Sequence, residues 1–155
     1  SACASGPNPQ DPQSIAAGTV IEHDSYKNMT KIRAPTIYVP EGRYSYFLRG
    51  WDTGGLKTAQ LYVDASFSDW AYLSTAYKGG VAQELTKIDS EVESCSGYGG
   101  CRISEIVGVD FTLDEIETVA SIGDYSVKLS GTGGEVIVNV PKTYIDGFVQ
   151  QLNKM

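Results

Sequence analysis

Residues 44–64 read YSYFLRGWDTGGLKTAQLYVD, and this stretch decides the fold. Residues 44–51 and 56–64 are two strand-like runs rich in aromatic and β-compatible residues. Between them lies Asp52-Thr53-Gly54-Gly55, a short Gly loop. The pattern predicts a β-hairpin.

The same grammar continues outward. Downstream, residues 71–77 and 81–92 flank Lys78-Gly79-Gly80, which predicts a second hairpin. Residues 103–111 alternate. Ile103, Val107, Val109 and Phe111 share one face, with only Glu105 against the pattern. Residues 125–130 alternate more cleanly, with Tyr125, Val127 and Leu129 opposite Ser126, Lys128 and Ser130. Gly131-Thr132-Gly133-Gly134 then leads into residues 136–140, whose consecutive apolar side chains suit a strand covered on both faces. Upstream, residues 36–39 end at the turn signal Pro40-Glu41-Gly42. Weaker strand signals lie at residues 19–21 and 29–33.

Two helices are expected. Thr112-Leu113-Asp114-Glu115 has the form of a capping box, so a short helix begins at Thr112 and stops by Gly123. Near the C-terminus, Ile145, Phe148, Val149 and Leu152 form one apolar stripe at i, i+3, i+4 and i+7. Thr143 with Asp146 is the expected cap of that helix. Many short strands at close spacing imply a mainly β protein. The expected architecture is an antiparallel β-sandwich, or open barrel, with one short helix and a C-terminal amphipathic helix. At 155 residues the chain suits a single domain, expected over residues 15–155. Its 17 Gly and 10 Tyr favour tight turns and strands over helices.

Charge narrows the function classes. The net charge of -7 opposes nucleic-acid binding, which needs a basic footprint. It also opposes electrostatic docking on an anionic membrane. No apolar run approaches the roughly 20 residues needed to span a bilayer.

Residues 1–14 read SACASGPNPQDPQS, with three Pro and no aliphatic residue larger than Ala. Such a segment buries too little apolar surface to offset its ordering entropy, so an extended, disordered tether is expected. Ser1-Ala2-Cys3 resembles the end of a bacterial lipobox, in which small residues precede the Cys that receives a diacylglyceryl group. Ala4-Ser5-Gly6-Pro7-Asn8-Pro9 is similar to the polar tether that follows such a Cys. The resemblance implies lipidation of Cys3 and an envelope location. The residue after the Cys is Ala4 rather than Asp, which in Gram-negative lipoproteins implies sorting to the outer membrane. Membrane attachment would then run only through the lipid on Cys3.

Cysteine arithmetic agrees with export. Cys95 and Cys101 sit six apart and form the expected disulfide, leaving Cys3 over. The ring presents Tyr98 between glycines as a candidate recognition tip. No zinc site is expected, because the only His, His23, is far away in sequence. Gly97-Tyr98-Gly99-Gly100 lacks the third Gly and the following helix of a dinucleotide loop, so no cofactor is expected.

Three functional readings follow. The first is a non-enzymatic exported protein that binds an envelope protein or glycan, or has a structural role there. Trp51, Trp70, Tyr72 and Tyr98 are its candidate binding residues. The second is a periplasmic inhibitor or immunity-type protein that meets a basic enzyme with acidic loops. The third is a polysaccharide hydrolase using Asp64 and Asp69 as paired carboxylates. Asp89, Glu91 and Glu93 alternate and read as a solvated strand face whose charges discourage edge pairing.

Overall fold

The computed structural model describes residues 6–155. The lipobox reading and Cys3 lie outside the described residues. Among the described residues, eleven strands and three α-helices follow one another. The strands are β1 (Val20–Asp24), β2 (Met29–Arg33), β3 (Ile37–Val39), β4 (Tyr44–Thr53), β5 (Leu56–Phe67) and β6 (Leu73–Lys78). They continue as β7 (Val81–Glu84), β8 (Thr86–Ser96), β9 (Gly100–Thr112), β10 (Tyr125–Gly131) and β11 (Glu135–Val140). The helices are α1 (Pro12–Ala17), α2 (Leu113–Ile122) and α3 (Lys142–Leu152).

The strands form two antiparallel sheets. The larger runs β1-β2-β4-β5-β9-β8, with β3 also paired to β4. The smaller runs β11-β10-β6-β7. The opening hairpin is β4–β5, in unbroken register from Tyr44↔Ala65 to Thr53↔Leu56. Its two-residue turn has positive φ at Gly54 and Gly55, the geometry that matches strand twist. The second expected hairpin is β6–β7.

The two sheets share one core. The larger contributes Leu61, Val63, Val107, Val109 and Phe111, and the smaller contributes Leu73, Val127, Leu129 and Val138. This is the β-sandwich that the alternating patterns imply. Residues 81–92, expected as one strand, divide at buried Leu85 between β7 in one sheet and β8 in the other. Periodicity does not show such a switch, because both halves remain strands.

Both expected helices form. Thr112 and Glu115 make the reciprocal capping bonds, each 3.1 Å long. The C-terminal α3 buries Tyr144, Ile145, Phe148 and Leu152. Its expected cap does not form. Pro141 is the N-cap without a side-chain bond, Thr143 donates to Pro9 O, and Asp146 pairs with Lys142.

The N-terminal expectation needs correction as well. Asp11 accepts from Gln13 N, and Pro12 opens α1 at a position where its missing N–H costs nothing. This helix packs on α3 and buries Ile15 completely. The folded body therefore reaches back into residues 1–14, and the extended form does not hold from Asp11 on. Ile15, immediately after the polar run, is the anchor.

Tyr144 ties α3 to the larger sheet. Pro35 separates β2 from β3, leaving a gap beside β4. The Tyr144 hydroxyl fills it, donating to Pro35 O (2.7 Å) and accepting from Leu48 N–H (3.1 Å). Burial raises the pKa of this phenol, so it stays protonated and able to donate. Tyr144→Phe is expected to leave both backbone groups unpaired and to destabilise the protein by about 2 kcal/mol. A urea unfolding midpoint equal to that of the native protein would refute the bridge.

Candidate functional site

The site begins with Glu105, the residue that breaks the alternation of β9. It lies on the inner face and is 6% exposed. Its carboxylate accepts three backbone N–H bonds from the crossover between the sheets. Oε2 takes Ala71 N–H at 2.6 Å and Tyr72 N–H at 3.1 Å, and Oε1 takes Leu73 N–H at 2.9 Å. One side chain thus satisfies three successive donors at the entry to β6.

The opposite side of this crossover rests on glycines. Gly133 N–H donates to Ala71 O at 2.9 Å. A methyl group at Gly131 or Gly133 would overlap the backbone oxygens of Trp70, Ala71 and Tyr72. The Gly131-Thr132-Gly133-Gly134 run therefore does more than turn the chain. It lets the crossover backbone approach closely.

This double clamp holds Tyr72 at φ +55°, left-handed backbone that a bulky side chain seldom adopts. The strain costs on the order of 1–3 kcal/mol and needs a surrounding structure that over-determines it. Its result is presentation. Trp70 and Tyr72 stack with ring centroids 6.1 Å apart and planes 25° from parallel. Tyr72 is 58% exposed. The rings border a groove of about 290 Å³ that Lys87, Ile88, Asp89 and Ser90 of β8 also line. The groove thus joins flat apolar faces to charged and hydroxyl groups, the combination that orients a polar ligand with apolar faces.

The structure brings together two of the four candidate aromatics. Trp51 lies on the outer face of the larger sheet, half-buried under the Arg49 guanidinium at 5.1 Å. It pairs with Thr58, whereas Trp70 follows the far end of β5 at Phe67. Nine residues of strand, about 30 Å, separate those ends. Tyr98 is fully exposed at the tip of the β8–β9 hairpin. The Cys95–Cys101 disulfide closes that tip.

The two candidate carboxylates have local partners. Asp64 accepts from Ser104 Oγ, and Asp69 accepts from its neighbour Trp70 N–H at 2.8 Å. His23 sits in β1 with Nδ1 3.0 Å from Thr30 Oγ1. Among the described residues, no cluster of three His, Cys, Asp or Glu side chains is placed to hold a metal. No helix among them is long and apolar enough to cross a membrane.

Glu105 was visible in the sequence only as an exception. Its lone charge in a run of core residues is the signal that could have marked it. Compared with protein families, curated proteins and solved structures, the chain matches none.

Proposed function

We propose that this is a non-enzymatic binding protein of the bacterial envelope, attached through lipidated Cys3, whose ligand is a glycan held on the Trp70–Tyr72 platform. The observation that carries the reading is Tyr72. Its strained backbone is fixed by Glu105 on one side and by Gly131 and Gly133 on the other. Backbone strain of this kind concentrates at functional sites. Here it places two stacked rings at the surface before any ligand arrives, which lowers the ordering cost of binding. Sugar rings offer apolar C–H faces to such rings and hydroxyls to Lys87, Asp89 and Ser90. The Cys95–Cys101 bridge fits an oxidising compartment such as the periplasm.

The test uses Trp51→Phe protein, in which Trp70 is the sole tryptophan. Titration with oligomers of hexoses and of N-acetylhexosamines should shift its emission saturably for at least one of them. Adding Tyr72→Gly should weaken binding by tenfold or more, about 1.4 kcal/mol. It should not lower the melting temperature, because Gly adopts left-handed backbone without strain. An emission spectrum unmoved by every oligomer would remove the glycan reading. Intact mass of the protein made from its full-length precursor in its own host tests the anchor, which requires acyl chains on Cys3.

A further inference from the structure

The outer face of the larger sheet, away from the core, gathers cations at one corner and carboxylates at another, with Asp110 of β9 bonded to Gln60 on the same face. At one corner Lys31 and Arg33 of β2 stand beside Trp51 and Arg49 of β4. Arg33 and Arg49 are directly opposite each other, an arrangement that costs stability when nothing compensates it. Both guanidiniums lie on rings, Arg33 4.2 Å from Phe47 and Arg49 5.1 Å from Tyr62. Arg49 spends two donors on the neutral Gln60 oxygen. Burial lowers its pKa; Tyr62 and Asp110 oppose that shift, while Arg33 adds to it. None of these three cations belongs to any of the ion pairs among the described residues. The groove over them, about 490 Å³, has Glu22 and Val20 at its β1 side.

The far corner of the same face is acidic. Glu91 pairs with Ser104, and Ser104 reaches Asp64, so these groups share the outer side. Glu93 lies 3.5 Å from Ser66 on that side and 3.7 Å from Arg102. Four strand spacings, roughly 19 Å, separate β2 from β8. Half-buried Tyr62 and Ile106 lie between the corners.

We infer that the outer face of the larger sheet is a self-association surface, on which the Lys31/Arg33/Arg49 corner of one copy meets the Asp64/Glu91/Glu93 corner of a second. A twofold axis lying between the faces, perpendicular to the line joining the corners, brings each cationic corner onto the partner's acidic one. Such an isologous contact closes as a dimer and satisfies both corners at once. The protein's net charge of -7 opposes association, so the local complementarity must supply the attraction. Six strands about 4.8 Å apart make the face roughly 25 Å wide. Covering most of it buries on the order of 600 Å² per copy, the low end for a specific contact. The dimer is therefore weak and salt-sensitive.

Sedimentation equilibrium decides the matter. The native protein should dimerise at low ionic strength, where the screening length is about 30 Å, and dissociate near 1 M salt, where it is about 3 Å. Arg33→Glu and Glu91→Arg should each weaken the dimer by tenfold or more at low salt, since each places like charges across the contact. Mixing the two variants in equal amounts should restore it, because position 33 of each then meets its opposite at position 91 of the other. Lys31→Glu replaces Arg33→Glu if circular dichroism shows the latter unfolded. A native protein that is monomeric at every salt concentration overturns the inference. So does a dimer that survives both variants, or a mixture that stays monomeric.

Discussion

Glu105→Ala should destabilise the protein by on the order of 4 kcal/mol, because it strands two buried N–H donors, those of Ala71 and Leu73, and the part-buried one of Tyr72 at once. For a domain of this size that corresponds to a fall of roughly 12 °C in melting temperature. Desolvated donors without partners cost more than the net gain of the bonds they once made, so the effect exceeds that of an ordinary lost contact. The variant should also lose ligand binding, since the Glu105 carboxylate is the acceptor for Ala71, Tyr72 and Leu73 N–H. Glu105→Gln separates the causes. It keeps the shape and one acceptor oxygen but turns an amide N–H₂ toward a remaining donor. It should cost about half as much as the Ala variant. Differential scanning calorimetry of the two variants checks the order. Equal melting temperatures for native, Gln and Ala proteins would show that the crossover does not depend on this carboxylate.

Phe148→Asp should be the most damaging single change. Phe148 is fully buried on α3, within the shared core. Loss of the ring alone costs about 3–5 kcal/mol through transfer and cavity terms. A carboxylate without a partner in the same space adds several more, roughly the whole stability of a domain. The variant should be unfolded or molten at 25 °C by near-ultraviolet circular dichroism. Phe148→Leu, which retains most of the apolar volume, should lose about 1.5 kcal/mol and stay folded. A nearly unchanged melting temperature for the Asp variant would mean that α3 is not packed on the core.

Local chemistry accounts for most of what was legible. The β4–β5 hairpin was readable because Gly54 and Gly55 carry the backbone that its turn demands. The capping box at Thr112 was readable because both partners lie within one helical turn. The apolar stripe of α3 was readable from its spacing, but the Thr143 cap was not. Thr143 bonds instead to Pro9, a group 134 residues away. In the candidate site, Trp70 and Tyr72 stood out by residue type. Their separation from Trp51 and Tyr98 did not, since residue type carries no register.

The sequence by itself determined that the chain is mainly β, where its main hairpin turns fall, where two of the three helices form and which cysteines pair. These outcomes rest on periodicity, turn chemistry and short loops, all of which act over a few neighbouring residues. Only the tertiary structure decided that Glu105 clamps a crossover more than 30 residues upstream, that Gly131 and Gly133 form its seat, and that Ile15 draws the polar N-terminal run onto α3. It also divided residues 81–92 between two sheets and separated the charges of the outer face. Each of these depends on groups far apart in sequence being brought within van der Waals or hydrogen-bonding distance. That proximity exists only once the two sheets have closed on their common core.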